Sequence, residues 1–141
     1  MNELSVTVRV DFGPACSVGP GKISLLEHIG RTGSLSEAAR KLKMSYRRAW
    51  LLLEDINQSF PQAAARLSVG GRGGGGAALT EFGTELVAAY RSLETDVERR
   101  ARSAFPAAAL AGAGSARNRA PPMRRRVSRR LAPRPQSRRR S

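Results

Sequence analysis

A 27-residue stretch, residues 34–60, constrains the fold more than any other part of this sequence. It reads SLSEAARKLKMSYRRAWLLLEDINQSF and predicts two short helices joined by a tight turn. Ser34, followed three residues later by Glu37, forms a capping box at the start of the first helix, and Ser45 is a suitable N-cap for the second. Two such helices are typical of a helix-turn-helix. The residues at helical spacing that each helix is expected to bury are Leu35, Ala38, Ala39 and Leu42, and then Ala49, Leu52, Leu53, Ile56 and Phe60.

Polar and basic side chains open the second helix. In a helix-turn-helix this end of the second helix lies in the major groove of DNA, so Ser45, Tyr46, Arg47 and Arg48 are predicted DNA contacts. The two arginines are the predicted readers of guanine edges, since arginine can donate two hydrogen bonds to that base. Ser34, at the other helix N-terminus, is a further predicted contact with DNA.

A glycine-rich run, residues 70–76, separates two short extended segments at residues 66–69 and 77–79. This pattern predicts a β-hairpin, which after a helix-turn-helix is the wing of a winged helix. Gly73 and Gly74 would let backbone N–H groups approach phosphates, and Arg72 would add a charged contact; the alternative is a solvated loop without a partner. The run also matches a dinucleotide-binding fingerprint, but no βαβ unit surrounds it.

The flanking segments complete the predicted domain. Alternating polarity over residues 4–12 predicts a half-buried strand, which needs a partner elsewhere in the chain or in a second copy. Residues 17–21 are predicted to form a turn, and residues 22–30 a first helix. A last helix is expected over residues 81–100, capped by Thr80. Its narrow apolar stripe is expected to cover the core with its first half and is a candidate dimerisation surface: Phe82, Leu86, Ala89, Leu93 and Val97.

The net charge of +14 is distributed very unevenly along the 141 residues. Residues 1–101 contain 13 of the 25 Lys and Arg residues and all 11 acidic residues, which gives this part a charge of +2. The remaining 12 basic residues are arginines in residues 102–141, a segment of Ala, Gly, Pro, Ser and Arg without apolar periodicity. We therefore predict one domain at residues 1–101 and a disordered tail at residues 102–141.

Several functional classes are disfavoured by what the sequence lacks. One Cys and one His make a structural zinc site improbable, and no Ser/His/Asp or Cys/His set is evident, so we expect neither an enzyme nor a cofactor. No apolar run approaches the ~20 residues that span a bilayer, and the N-terminus lacks the features of a signal peptide. We expect a cytoplasmic protein that does not contact a membrane.

Residues 19–93 resemble the N-terminal DNA-binding domain of the bacterial molybdate-dependent regulator ModE, a winged helix-turn-helix related to LysR-type regulators. The resemblance rests on KISLLEHI (22–29), RTGSLSEAA (31–39), MSYRRAW (44–50), the glycine run and LTEFG (79–83). It implies a homodimer on a partly palindromic operator, with the N-terminal strand and the last helix helping to dimerise. ModE proteins also carry C-terminal oxyanion-binding modules, whereas here an Arg-rich tail follows, so we expect no small-molecule effector site in this chain.

The sequence thus predicts a mainly α fold with a small β component and a sequence-specific DNA-binding transcription regulator. Two alternatives remain open at this point. The chain can be a protein-interaction partner of a sensor-bearing regulator, using the helical pair or the apolar stripe for protein contacts. It can also be a non-specific nucleic-acid binder that acts through the arginines of the tail, with strong salt dependence.

Overall fold

The computed structural model describes residues 4–69 and 75–111 and is mainly helical, with two small antiparallel sheets. This agrees with the predicted mainly α fold with a small β component. The elements in chain order are β1 (Val10–Asp11), β2 (Ser17–Val18), α1 (Pro20–Thr32), α2 (Leu35–Lys41), α3 (Tyr46–Ser59), β3 (Ala65–Leu67), β4 (Ala77–Leu79), α4 (Glu81–Ala104) and α5 (Ala107–Ala111).

The N-terminal strand is much shorter than the alternation of residues 4–12 predicted. Only Val10–Asp11 forms a ladder, and its partner is Ser17–Val18, a segment that was wrongly predicted to be part of a turn. The chain reverses at Gly13, whose φ of 82° suits glycine because it has no Cβ. Within the described part of the chain, residues 4–9 lie outside any sheet. The alternation of polar and apolar residues correctly predicted an inner and an outer face for this segment, but it did not indicate which strand would pair with it.

The first predicted helix is confirmed with wider bounds. It begins at Pro20, which is favourable in the first turn because proline has no N–H to leave unpaired there. It ends at Gly33, which has a φ of 69° and donates its N–H to the carbonyl of Ile29. This left-handed glycine also sets the direction in which the chain enters α2.

The central helical pair forms as predicted, with both serine caps in place. The Ser34 hydroxyl accepts a hydrogen bond from the Glu37 N–H at 3.2 Å, and the Ser45 hydroxyl accepts one from the Arg48 N–H at 3.1 Å. Between the helices Lys43 has a φ of 56°, so a single left-handed residue makes the tight turn. Both helices therefore start where their capping residues specify.

The core lies where α1, α2 and α3 meet the base of the β3–β4 hairpin. Of the five residues that α3 was predicted to bury, Ala49, Leu53 and Ile56 are buried, and Leu52 and Phe60 are partly buried and pack against the core. The small residues Ala38 and Ala39 of α2 are fully buried, which lets α3 pack close across α2. A smaller cluster, Val18, Ile23 and Tyr90, joins the N-terminal segment to α4. The remaining buried members of the main core are Leu25, Leu26, Ile29, Leu35, Ala64, Ala65 and Ala77.

The last helix, α4, is longer than the sequence predicted. Thr80 caps it as expected, accepting a hydrogen bond from the Gly83 N–H at 3.0 Å, but the helix continues past residue 100 to Ala104. The short helix α5 follows at Ala107–Ala111. Regular structure therefore extends beyond the predicted start of the tail at residue 102. The rest of the predicted tail, residues 112–141, lies outside the described residues.

Candidate nucleic-acid interface

The N-terminal turn of α3 presents its polar and basic side chains to solvent. Ser45, Tyr46, Arg47 and Arg48 are all exposed, whereas Ala49 is fully buried and fixes the rotation of the helix. The Ser45 cap satisfies the Arg48 N–H and leaves other N–H groups of the first turn available to a ligand. A helix N-terminus of this kind attracts anions, because its free N–H groups and the helix dipole carry a partial positive charge.

The two arginines of this turn have no acidic partner among residues 4–69 and 75–111. Two other basic residues nearby do have acidic partners: Arg40 pairs with Glu37 within α2, and Lys22 of α1 pairs with Asp55 of α3. The first turn of α3 also contains no acidic residue. The positive charge of Arg47 and Arg48 is therefore available for contacts outside the domain.

Large apolar side chains lie beside these arginines. Tyr46 is 53% exposed, Leu51 is 50% exposed and Trp50 is 39% exposed. Much of the Trp50 side chain therefore remains in solvent, although the residue lies at the edge of the buried face of α3. The exposed face of α3 is therefore both basic and apolar.

The β3–β4 hairpin follows α3 directly, as predicted, and its base is fixed by Asn57. The Asn57 Oδ1 accepts hydrogen bonds from the N–H groups of Ala64 (2.8 Å) and Ala65 (3.3 Å), and its Nδ2 donates to the Ala65 carbonyl at 3.0 Å. Thr80 holds the other side, where its hydroxyl donates to the Ala63 carbonyl at 2.6 Å. These contacts define the direction in which the hairpin leaves the core.

The hairpin is also tied to the connection between α1 and α2, because the Ala77 N–H donates to the Gly33 carbonyl at 2.8 Å. Near the tip, the Ser68 N–H donates to the Gly76 carbonyl at 2.8 Å. A Cβ on Gly75 would lie 2.4 Å from the Ser68 carbonyl oxygen, so this position requires glycine. The predicted phosphate contacts Arg72, Gly73 and Gly74 lie outside the described residues.

The predicted dimerisation stripe of α4 divides into two parts. Phe82 and Leu86 pack against the core, which leaves them only partly accessible. Leu93 and Val97, further along the helix, are 41% and 36% exposed. Between α4 and the β1–β2 hairpin lies an open apolar groove of about 110 Å³, lined by Val10, Phe12, Val18, Leu86, Ala89, Tyr90 and Leu93.

A half-buried ion-pair cluster fixes α4 against α1. Arg91 donates from Nε to Glu27 at 3.1 Å and from Nη1 to Glu94 at 2.8 Å. The hydrogen bond from Arg91 lowers the pKa of the Glu27 carboxyl, and the same bond raises the pKa of the Arg91 guanidinium. One residue earlier, the Tyr90 hydroxyl donates to the Val8 carbonyl at 2.7 Å and holds the N-terminal segment on α4.

The sequence did not indicate the roles of Asn57 and Arg91. Asn57 holds the base of the hairpin, and Arg91 holds α4 against α1. Both residues make contacts with partners that are distant in sequence, which no local pattern indicates. The structure also contains, within its described ranges, no group of His, Cys, Asp and Glu side chains that would hold a metal ion. No helix of those ranges is long and apolar enough to cross a bilayer.

The sequence of this chain has relatives among known proteins. The chain is similar to bacterial ModE proteins. It is 38% identical over 93 residues to the "Molybdenum transport protein ModE" of Azotobacter vinelandii, which covers 66% of this chain and 34% of that protein. It is 41% identical over 71 residues to the "DNA-binding transcriptional dual regulator ModE" of Escherichia coli K12, which covers 50% of this chain and 27% of that protein.

A third relative has a different name. The "Molybdenum-pterin-binding protein MopB" of Rhodobacter capsulatus is 40% identical over 82 residues, which covers 58% of this chain and 30% of that protein. No protein-family model matches the chain. The chain therefore spans about a third of the length of these curated relatives.

Proposed function

We propose that this chain is a sequence-specific DNA-binding transcription regulator that acts as a homodimer. In this proposal α2, α3 and the β3–β4 hairpin form a winged helix-turn-helix of the LysR type. The observation that carries the proposal is the capped N-terminus of α3, where Arg47 and Arg48 are exposed and have no acidic partner in the described chain. The similarity to proteins named as ModE transcriptional regulators supports it.

The proposed mechanism separates positioning from reading. Phosphate contacts from the N-termini of α2 and α3, at Ser34 and Ser45, fix the domain on the duplex, and Arg72, Gly73 and Gly74 contact the backbone from the wing. Arg47 and Arg48 enter the major groove and donate to guanine edges, while Tyr46 contacts phosphate or base. Each well-placed bidentate contact contributes about 1–3 kcal/mol of discrimination between bases.

The dimer of this proposal forms through the second half of α4. Leu93 and Val97 are exposed there and are continuous with the apolar groove beside Phe12. Burying these side chains against a second copy removes apolar surface from water, which is favourable at about 25 cal/mol per Å². Residues 4–9, which lie outside any sheet, offer a second element for the same contact. Two-fold symmetry of the dimer then implies a partly palindromic operator.

The test is a selection of bound sequences from random duplex DNA, with the full chain and with its Arg47→Ala/Arg48→Ala variant. We expect an enriched motif with two-fold symmetry for the wild type and loss of that motif in the variant, with the dimer intact by light scattering. Binding without any enriched motif would contradict the proposal, because the arginines of residues 102–141 would then suffice as a non-specific contact.

A further inference from the structure

Leu51 occupies a position on α3 where a solvated helix would carry a polar side chain. With 100° of rotation per residue, Arg47, Leu51, Glu54 and Gln58 share the line that faces away from the buried Ala49, Leu53 and Ile56. Leu51 lies one turn after Arg47 on this line and is half exposed. The leucine is therefore at the centre of the outward face, not at its edge.

Other large apolar side chains are exposed on the same stretch of α3, but on different sides of the helix. Of the nine large hydrophobic residues that are exposed in the described chain, Tyr46, Trp50 and Leu51 lie between residues 46 and 51. At about 100° per residue, Leu51 is the one of these three that shares a line with Arg47. A single exposed leucine is ordinary, but one that lies a turn from an unpaired arginine suits a partner that presents both anionic and apolar groups.

The major groove of DNA supplies both kinds of group. Its rims are lined by phosphates, and its floor presents guanine acceptors that match arginine. The C5-methyl group of thymine is the apolar feature that a base pair presents there, and small apolar side chains recognise it by contact. The neighbourhood of Arg47 and Leu51 matches this combination, because one residue supplies donors and the next turn supplies an apolar group.

We propose that Leu51 contacts the C5-methyl group of a thymine close to the guanine that Arg47 reads. This inference rests on the proposed function and adds a second class of base to the recognised sequence. Leu51 lies about 6 Å along the helix axis from Arg47, at 1.5 Å per residue. Since successive base pairs are about 3.4 Å apart, the thymine lies one or two base pairs from that guanine.

The experiment uses the full chain and the duplex that the selection yields. Each thymine is replaced in turn by deoxyuridine, which removes only the C5-methyl group, and the dissociation constant is measured. At the thymines one or two base pairs from the guanine that Arg47 reads, we expect about fourfold weaker binding, the factor that corresponds to one buried methyl group. In Leu51→Ala the same replacement has no further effect, because the side chain that contacts the methyl group is absent.

Two further variants make the result specific to this side chain. Leu51→Met keeps an apolar group of similar reach and retains the penalty for deoxyuridine. Gln58→Ala lies on the same outward line, about 10 Å further along the axis, and also retains it. Because Leu51 and Gln58 are exposed and alanine favours helix, both alanine variants keep the wild-type unfolding temperature.

The outcomes separate this inference from the proposed function. A wild-type protein that selects a motif through Arg47 but is insensitive to every deoxyuridine overturns the role of Leu51 and leaves the function standing. The role of Leu51 is also overturned if deoxyuridine weakens binding equally in Leu51→Ala, or if no thymine lies within two base pairs of that guanine. Leu51 is then available for contact with another protein. Absence of any selected motif overturns the proposed function, and the inference with it.

Discussion

The outward faces of α3 and α4 differ in which side chains are left without a partner. On α3, Arg47 and Arg48 have no acidic partner within the described ranges. On α4, three of the arginines pair with carboxylates of the same helix: Arg91 with Glu94, Arg99 with Asp96, and Arg102 with Glu98. The fourth arginine of α4, Arg100, is exposed and has no carboxylate partner in the described chain, and beside it α4 exposes the apolar side chains of Leu93 and Val97.

This difference shows how one small domain can direct two surfaces to two kinds of partner. Carboxylates three or four residues from an arginine neutralise it within the helix, so α4 has little attraction for a polyanion. The first turn of α3 has no such carboxylate and keeps its positive field. The difference supports our proposal that α3 binds DNA and that the second half of α4 binds a second copy of the chain.

The largest expected effect comes from removing the unpaired charge of α3. Arg47→Ala/Arg48→Ala should weaken binding to the selected duplex at least about thirtyfold, since two base contacts contribute about 2–6 kcal/mol together. The matched control is Arg99→Ala/Arg100→Ala, which removes two adjacent arginines from α4, and we expect it to change affinity less than threefold. Equal losses in the two variants, measured by fluorescence anisotropy, would mean that only net charge matters.

A second test introduces charge into the apolar face of α4. Leu93→Arg/Val97→Arg should shift the dimer to a monomer at micromolar concentration, because two charges would have to be buried without partners. DNA affinity should fall about tenfold or more, since each half-site then binds separately. Sedimentation velocity measures the first effect. A dimer that persists with both arginines in place would rule out this half of α4 as the interface.

The ion pair between Arg91 and Glu27 provides a smaller, pH-dependent effect. Because the pKa of Glu27 is lowered in the folded state, its contribution to stability is present above the unfolded pKa and is lost as the pH falls through the folded pKa. Arg91→Met should therefore lower the free energy of unfolding by about 1–2 kcal/mol at pH 7. This difference from the wild type should shrink in acid, as the pH falls below the ordinary Glu value and through the lowered pKa of Glu27.

Urea unfolding at pH 7 and at pH 3 measures this dependence. Arg99→Met is the matched control, because Arg99 pairs with Asp96 on an exposed surface and should change stability by less than about 0.5 kcal/mol. A destabilisation by Arg91→Met that is the same at both pH values would assign the role of Arg91 to packing against its neighbours and not to its charge.

The sequence predicted the elements whose signals are local. The capping serines and threonine identified the starts of α2, α3 and α4, and helical spacing identified the buried face of α3. The hairpin after α3 was also predicted, because glycine-rich residues separate two short extended segments. In each case the physical cause lies within about four residues of the feature that it determines.

The features that escaped prediction depend on distant parts of the chain. The strand predicted over residues 4–12 was mostly wrong, since only Val10–Asp11 finds a partner in the described chain. Arg91 and Glu27 are 64 residues apart, and Asn57 fixes a backbone segment seven and eight residues away, beyond the end of its helix. Periodicity identifies which face of a helix is buried, but it does not identify which polar side chain will meet a distant partner.

The smallest expected effects come from substitutions at Ser45. Two different substitutions there are expected to change stability and DNA binding independently. Ser45→Ala removes the hydrogen bond to the Arg48 N–H and should lower stability by about 1 kcal/mol. Ser45→Asp keeps a capping oxygen and favours the helix dipole, so it should retain wild-type stability. The aspartate, however, places a negative charge where the proposed complex has a DNA phosphate. We therefore expect binding to the selected duplex to weaken about tenfold.

Thermal unfolding of the two variants tests the expected loss of stability in Ser45→Ala. Fluorescence anisotropy tests the expected loss of DNA affinity in Ser45→Asp. At the start of α4, Thr80→Ala should lower stability by more than Ser45→Ala, because the Thr80 hydroxyl also donates to the Ala63 carbonyl. Thr80→Ala should leave the preference for the selected duplex unchanged, because Thr80 lies at the base of the hairpin and not on the outward face of α3. If Ser45→Asp instead binds the duplex as tightly as the wild type, the N-terminus of α3 does not face the DNA backbone, and the assignment of the two surfaces must be revised.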